Sequence, residues 1–136
     1  MTQVLVLVGT LAVATAFGLF WRARQGQVRA ARRSALPDPL LDLVDPASPV
    51  TLLQISTTFC APCRQTRVLL SDLAAKTSGL RHVDYDVTEH PEVATSLGVL
   101  RTPTTLAVDA QGVEIMRVGG VPKRDTLLAA LRPHLP

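Results

Sequence analysis

The chain has only two cysteines in 136 residues. No disulfide framework can therefore hold it together, and a closed zinc site with four thiolates would need a second pair that is not there. It has no acidic residue before Asp38, no internal repeat and no low-complexity tract, and between residues 4 and 21 it carries no charge at all. Nor is there a general excess of basic residues. The net charge of +3 is set by Arg22, Arg24, Arg29, Arg32 and Arg33; outside that block nine basic residues face eleven acidic ones. A nucleic-acid footprint over the rest of the chain is not supported.

The uncharged run is long enough to cross most of a bilayer core as a helix. A cleaved signal peptide would place basic residues before the run and a small-residue cleavage site after it, whereas here the basic residues follow and Trp21-Arg22 suits an interfacial boundary. The reading is a transmembrane helix and basic juxtamembrane segment over residues 1–33. Five arginines on its C-terminal flank against none on the other place the C-terminal part in the cytoplasm by the positive-inside rule. Residues 34–48, interrupted by Pro37, Pro39 and Pro46, read as a proline-rich linker in which Leu40-Leu41-Asp42-Leu43-Val44 can form one short helical turn. Residues 49–136 remain as a single domain of ordinary size.

The two cysteines lie in Thr57-Thr58-Phe59-Cys60-Ala61-Pro62-Cys63-Arg64, behind the apolar, β-branched stretch 50–56 and ahead of a helical pattern carried by Val68, Leu69, Leu70, Leu73 and Ala74. The pair thus sits where a buried strand turns into a helix. The first turn of a helix offers unpaired N–H groups and a partial positive charge, which stabilise a thiolate relative to a thiol. Cys60, at the helix start, is the expected exposed nucleophile; Cys63, one turn further in, faces the same side and can resolve a mixed disulfide. Pro62 fits an early helix position because its missing N–H is not needed there. Inert burial, or half of a zinc site shared by two chains, are the alternatives at this point.

Residues 80–87 read as a second strand, parallel to the first through the helix. Pro91 opens a short helix bearing Val93, Ala94 and Leu97 that stops at Gly98. Residues 104–108 and 113–118 form a hairpin around Asp109-Ala110-Gln111-Gly112, and Gly119-Gly120 breaks it. A last helix follows from Pro122-Lys123-Arg124-Asp125, with Leu127, Leu128 and Leu131 on one face. The order is β-α-β-α-β-β-α around a central mixed four-stranded sheet. His82, His90 and His134 lie next to neither cysteine in sequence and are expected at the surface, His90 as the residue that opens its helix. Tyr85 and Met116 are expected in or near the core.

Phe-Cys-Ala-Pro-Cys at the strand-to-helix turn, Leu-Arg-Thr-Pro-Thr before the third strand and Val-Gly-Gly after the fourth together resemble the thioredoxin family, over roughly residue 49 to the C-terminus. The resemblance implies an α/β thioredoxin-like fold and a dithiol/disulfide site at Cys60 and Cys63. It also implies a cis peptide bond between Thr102 and Pro103 beside that site. Substrate would then lie against Phe59, Ala61, Pro62, Thr102 and Pro103, pairing as an added strand with the Thr102 backbone. Implied partners are protein disulfides and an electron donor such as a thioredoxin reductase, with no organic cofactor, no metal and a monomeric state. Three departures stand out. Gln54 occupies the position of a buried carboxylate that handles the resolving cysteine's proton, and a neutral amide cannot exchange one at working pH. Phe59 replaces a tryptophan, and Ala61 replaces a glycine. Two other functions stay open: a thiol–disulfide interchange protein on the opposite side of the membrane, and a non-catalytic adaptor built on the same scaffold.

Overall fold

A computed structural model describes residues 1–30 and 35–136. Helix α1 (Thr2–Arg24) takes up the whole uncharged run and buries none of it against the rest of the chain. Strand β1 (Val28–Ala30) follows, then the short helix α2 (Asp38–Leu41), strand β2 (Val50–Ser56) and helix α3 (Ala61–Lys76). Strand β3 (Leu80–Asp86), helix α4 (Pro91–Ser96), strands β4 (Thr104–Asp109) and β5 (Glu114–Gly119) and helix α5 (Arg124–Leu131) complete the fold. Arg32 and Arg33 of the basic block lie outside the described residues.

Among the described residues the sheet has five strands in the order β1-β5-β4-β2-β3, one more than the four expected. The four expected strands are present, with β2 parallel to β3 and antiparallel to β4. The added strand is β1, which pairs antiparallel with β5 through Val28↔Val118, Arg29↔Arg117 and Ala30↔Met116. Its three residues are half-exposed or exposed, so no apolar alternation marks it in the sequence.

All seven residues of β2 are buried because the strand has a neighbour on each side and a helical layer on each face. Parallel-paired strands covered on both faces read as continuous apolar runs rather than alternating ones. One face carries Val50 and Leu52 against Leu70 and Leu73 of α3 and Leu127 and Leu131 of α5. The other carries Leu53 and Ile55 against Leu36, Leu40, Val87 and Val93. The proline-rich stretch therefore contributes two buried leucines, Leu36 at 4% and Leu40 at 0% exposure, and its short helix is Asp38–Leu41, earlier than the turn expected over residues 40–44 because Pro39 stands at an early helix position.

Helix α3 buries Cys63, Thr66, Leu70 and Leu73, a spacing of three and four that keeps them on one face. Val68, read as part of that face, lies on the outer side and is exposed. Two residues from Leu70 is about 200° around a helix, which settles its direction. Met116 is in the core, Tyr85 packs partly against the second cluster, and His90 is the residue that opens α4, as expected, exposed and without a side-chain capping hydrogen bond.

Candidate active site

Cys60 is the N-cap residue of α3, and its Sγ accepts a hydrogen bond from the Cys63 backbone N–H at 3.2 Å. The helix end thus points one of its unpaired donors at the sulfur. The two sulfurs are joined as a disulfide of 2.06 Å with the α-carbons 5.2 Å apart. Cys60 remains partly open to solvent while Cys63 is 1% exposed. Ala61 and Pro62 occupy the first helical positions between them, both exposed, with Pro62 where an N–H would have no partner.

The turn before Cys60 is tied down by a hydroxyl network. Thr58 N–H donates to Thr88 Oγ1 at 2.9 Å, the Thr58 hydroxyl donates to Asp86 Oδ2 at 3.0 Å, and Thr88 N–H donates to Asp86 Oδ1 at 2.8 Å. The hydrogen bonds from Thr88 hold the Asp86 carboxyl below its usual value. This network fixes the loop that presents Phe59, which is 98% exposed.

From the other side comes the loop before β4. The Thr102–Pro103 peptide bond is cis, Pro103 is buried, and the Thr102 hydroxyl lies 3.8 Å from Cys60 Sγ. Thr102 Oγ1 is also 3.4 Å from Thr57 Oγ1. The Gly119-Gly120 break holds this loop, because Gly120 N–H donates 2.8 Å to the Pro103 carbonyl, with Gly120 in the left-handed region at φ 81°. Glycine alone adopts that conformation without steric penalty. An open groove of about 550 Å³ runs from Phe59 to Leu100 and Thr102. Its two rims, Phe59 and Leu100, are both almost fully exposed.

A model of the thioredoxin family matches residues 41–133. The chain belongs to the thioredoxin family. Thioredoxin from Staphylococcus aureus is 33% identical over 89 residues, covering 65% of this chain and 85% of the relative. Thioredoxin from Chlamydia caviae is 28% identical over 88 residues, with the same coverage of each. Among solved structures, a mutant thioredoxin from Halobacterium salinarum superposes with a TM-score of 0.63 at 22% identity, over 75% of this chain and 88% of the other. A thioredoxin from Nicotiana alata gives 0.59 at 24% identity, over 79% and 99%. These likenesses show the fold. With the bonded CxxC pair at the helix start, membership gives this thioredoxin-family chain thiol–disulfide oxidoreductase activity.

All seven residues singled out in the sequence, Cys60, Cys63, Phe59, Ala61, Pro62, Thr102 and Pro103, lie in or beside this one turn. Gln54 is fully buried behind it, with Nε2 donating 2.7 Å to the Cys63 carbonyl. His82 is a correction. Expected at the surface, it is half-buried against α3, with Nε2 3.0 Å from Gln54 Oε1 and Nδ1 3.1 Å from Ser71 Oγ. Strand alternation puts it on the face of Asp84, but only the register Leu52↔His82 brings it beside Gln54, and register is not written in β3 itself. Among the described residues no group of three or more His, Cys, Asp or Glu is placed to hold a metal ion.

Proposed function

We propose that the protein is a membrane-anchored oxidoreductase that reduces or exchanges disulfides in protein substrates, with Cys60 as nucleophile and Cys63 as resolving cysteine. The observation that carries this reading is the asymmetry of the pair: the half-open Cys60 Sγ receives the helix-end N–H, while Cys63 is closed off behind it. In the reduced protein the Cys60 thiolate attacks one substrate sulfur, the substrate S–S bond breaks, and a first thiolate leaves and is protonated. Cys63 then loses its proton to water, attacks Cys60 Sγ and releases the second substrate thiolate. Substrate gains two electrons and the enzyme pair becomes a disulfide. A reductase or another dithiol donor returns those electrons, and no organic cofactor is needed.

The groove lined by Phe59, Val87, Pro91, Ala94, Val99 and Leu100 offers an extended substrate an apolar surface, and the backbone of Thr102, whose hydroxyl lies 3.8 Å from Cys60 Sγ, offers it an edge for strand-like pairing. Main-chain pairing makes little demand on side chains, so the reading is of broad protein specificity by a monomer. Helix α1 anchors the chain, and Arg22, Arg24 and Arg29 on its C-terminal flank favour a cytoplasmic catalytic domain. The test is reduction of a protein disulfide by the full chain with a dithiol donor. Cys60→Ser is expected to lower the rate to background. A Cys60→Ser chain as active as the unaltered one, or an unaltered chain with no activity above background, overturns the reading.

A further inference from the structure

Gln54 stands on β2, six residues before Cys60, with both ends of its buried side chain engaged. Its amide bridges the Cys63 carbonyl, 2.7 Å from Nε2, and His82 Nε2, 3.0 Å from Oε1; the far side of the ring meets Ser71 Oγ at 3.1 Å. Only one tautomer of the neutral ring satisfies these contacts. A carbonyl oxygen accepts and never donates, so the amide nitrogen faces Cys63 and the amide oxygen faces the ring. That oxygen also only accepts, so the hydrogen of His82 sits on Nε2. Nδ1 then accepts from the Ser71 hydroxyl when the ring is neutral and donates to Ser71 Oγ when it is charged. Rotation of one hydroxyl is all that the change requires. His82 can gain or lose a proton without a heavy atom moving, at the far end of a link whose near end is the backbone of Cys63.

Strand β3 is at the sheet edge, and among the described residues the ring's hydrogen-bond partners come from β2 and α3. Strand β2 supplies Gln54 and α3 supplies Ser71 and Arg67, while Asp84 lies two residues on along β3. Arg67 and Asp84 are paired with each other, with Nε 2.8 Å from Oδ2. His82 is the imidazole of the group, the side-chain type whose ordinary pKa lies closest to neutral pH. Burial holds its pKa below the ordinary 6.5, with Asp84 opposing and Arg67 reinforcing the shift. The ring is therefore mainly neutral at pH 7 while the cysteines are joined.

We propose that His82 is a positioning residue that couples its own protonation to the redox state of the Cys60/Cys63 pair through the Gln54 amide. The inference rests on that pair cycling as described above. When a dithiol donor reduces the disulfide, the S–S bond breaks, two electrons enter, and one proton converts one of the two sulfurs to a thiol and leaves the other a thiolate. The new anion raises the proton affinity of the imidazole, and an imidazolium in turn favours the anion; the two effects are equal by linkage. His82 acts by its charge and by the orientation it imposes on Gln54. It does not receive the Cys63 proton, because an amide stands between them.

The test is an NMR titration of the His82 ring in the full chain, once oxidised and once reduced. The midpoint is expected to be higher in the reduced protein; equal midpoints overturn the proposal. The midpoint potential of the pair, followed across the pH range in which His82 titrates, is expected to fall more steeply there than outside it. His82→Gln keeps a donor toward Gln54 but cannot titrate, and the steeper stretch should vanish; an unchanged profile in this variant also overturns the proposal. A structural role alone would move the stability of the fold and leave the slope in place. Failure of the pair to be reduced reversibly at all would instead remove the oxidoreductase reading, so the two failures are distinguishable.

Discussion

At the scale of single residues, chemistry and stability meet at His82. Burial lowers its pKa in the folded chain, so between the folded value and 6.5 the unfolded chain binds more protons than the folded one. Stability therefore rises with pH through that window and is lost as pH falls through it. Denaturant unfolding of the oxidised chain at about pH 5 and about pH 7.5 should give a lower midpoint at the acidic value, and a smaller difference in His82→Gln. Equal midpoints in the unaltered chain would show that burial of the ring is without energetic consequence. The hydrogen-bonded Asp86 and ion-paired Asp72 are lowered below 3.8, so their stabilising contribution is lost only at more acidic pH, outside this window. Cys60 and Cys63 were legible from residue type and spacing, and Thr102-Pro103 only through the resemblance to the thioredoxin family, since a lone Thr-Pro before a strand is ordinarily a trans turn. His82 was not. Its partner lies 28 residues away on another strand, and a contact of that kind depends on register.

At the scale of elements, strong apolar periodicity was readable and short polar pairing was not. Strands β2, β3, β4 and β5 and helices α3, α4 and α5 follow runs or helical spacing that elementary side-chain directions dictate. Strand β1 has three residues with an arginine in the middle, and only its hydrogen-bonding partner β5 makes it a strand. The turn into it depends on Gly26, at φ 72°, where an added Cβ would lie 2.5 Å from the Val121 carbonyl oxygen. Gly26 N–H donates 3.0 Å to the Gly119 carbonyl, in the same segment that holds Pro103 through Gly120. Gly26→Ala is therefore expected to cost about 1–3 kcal/mol for a strained left-handed residue. Amide hydrogen exchange should locate the loss at β1 and the β5 end. Protection of β1 equal to that of the unaltered chain would show that the strand does not depend on this turn.

At the scale of the whole molecule, only Gln25, Gly26 and Gln27 separate α1 from β1. Trp21 and Arg24 at the end of α1 line the same cavity as Leu100 and Arg101, one residue from Thr102. If α1 spans a bilayer, the groove proposed for substrate is held close to the headgroups, without a long tether. A membrane-impermeant thiol reagent applied to intact cells under reducing conditions is expected to leave Cys60 unlabelled, and to label it once the membrane is opened. Labelling in intact cells would place the catalytic domain on the opposite side. Turnover by the proposed route requires that Cys60 forms the bond to substrate and that Cys63 breaks it. The most direct measurement is to mix the reduced Cys63→Ser chain with a disulfide-containing protein and separate the products without reductant. A covalent complex through Cys60, released by added dithiol and absent with Cys60→Ser, is the predicted result; equal trapping by Cys60→Ser, or none by either variant, would contradict it.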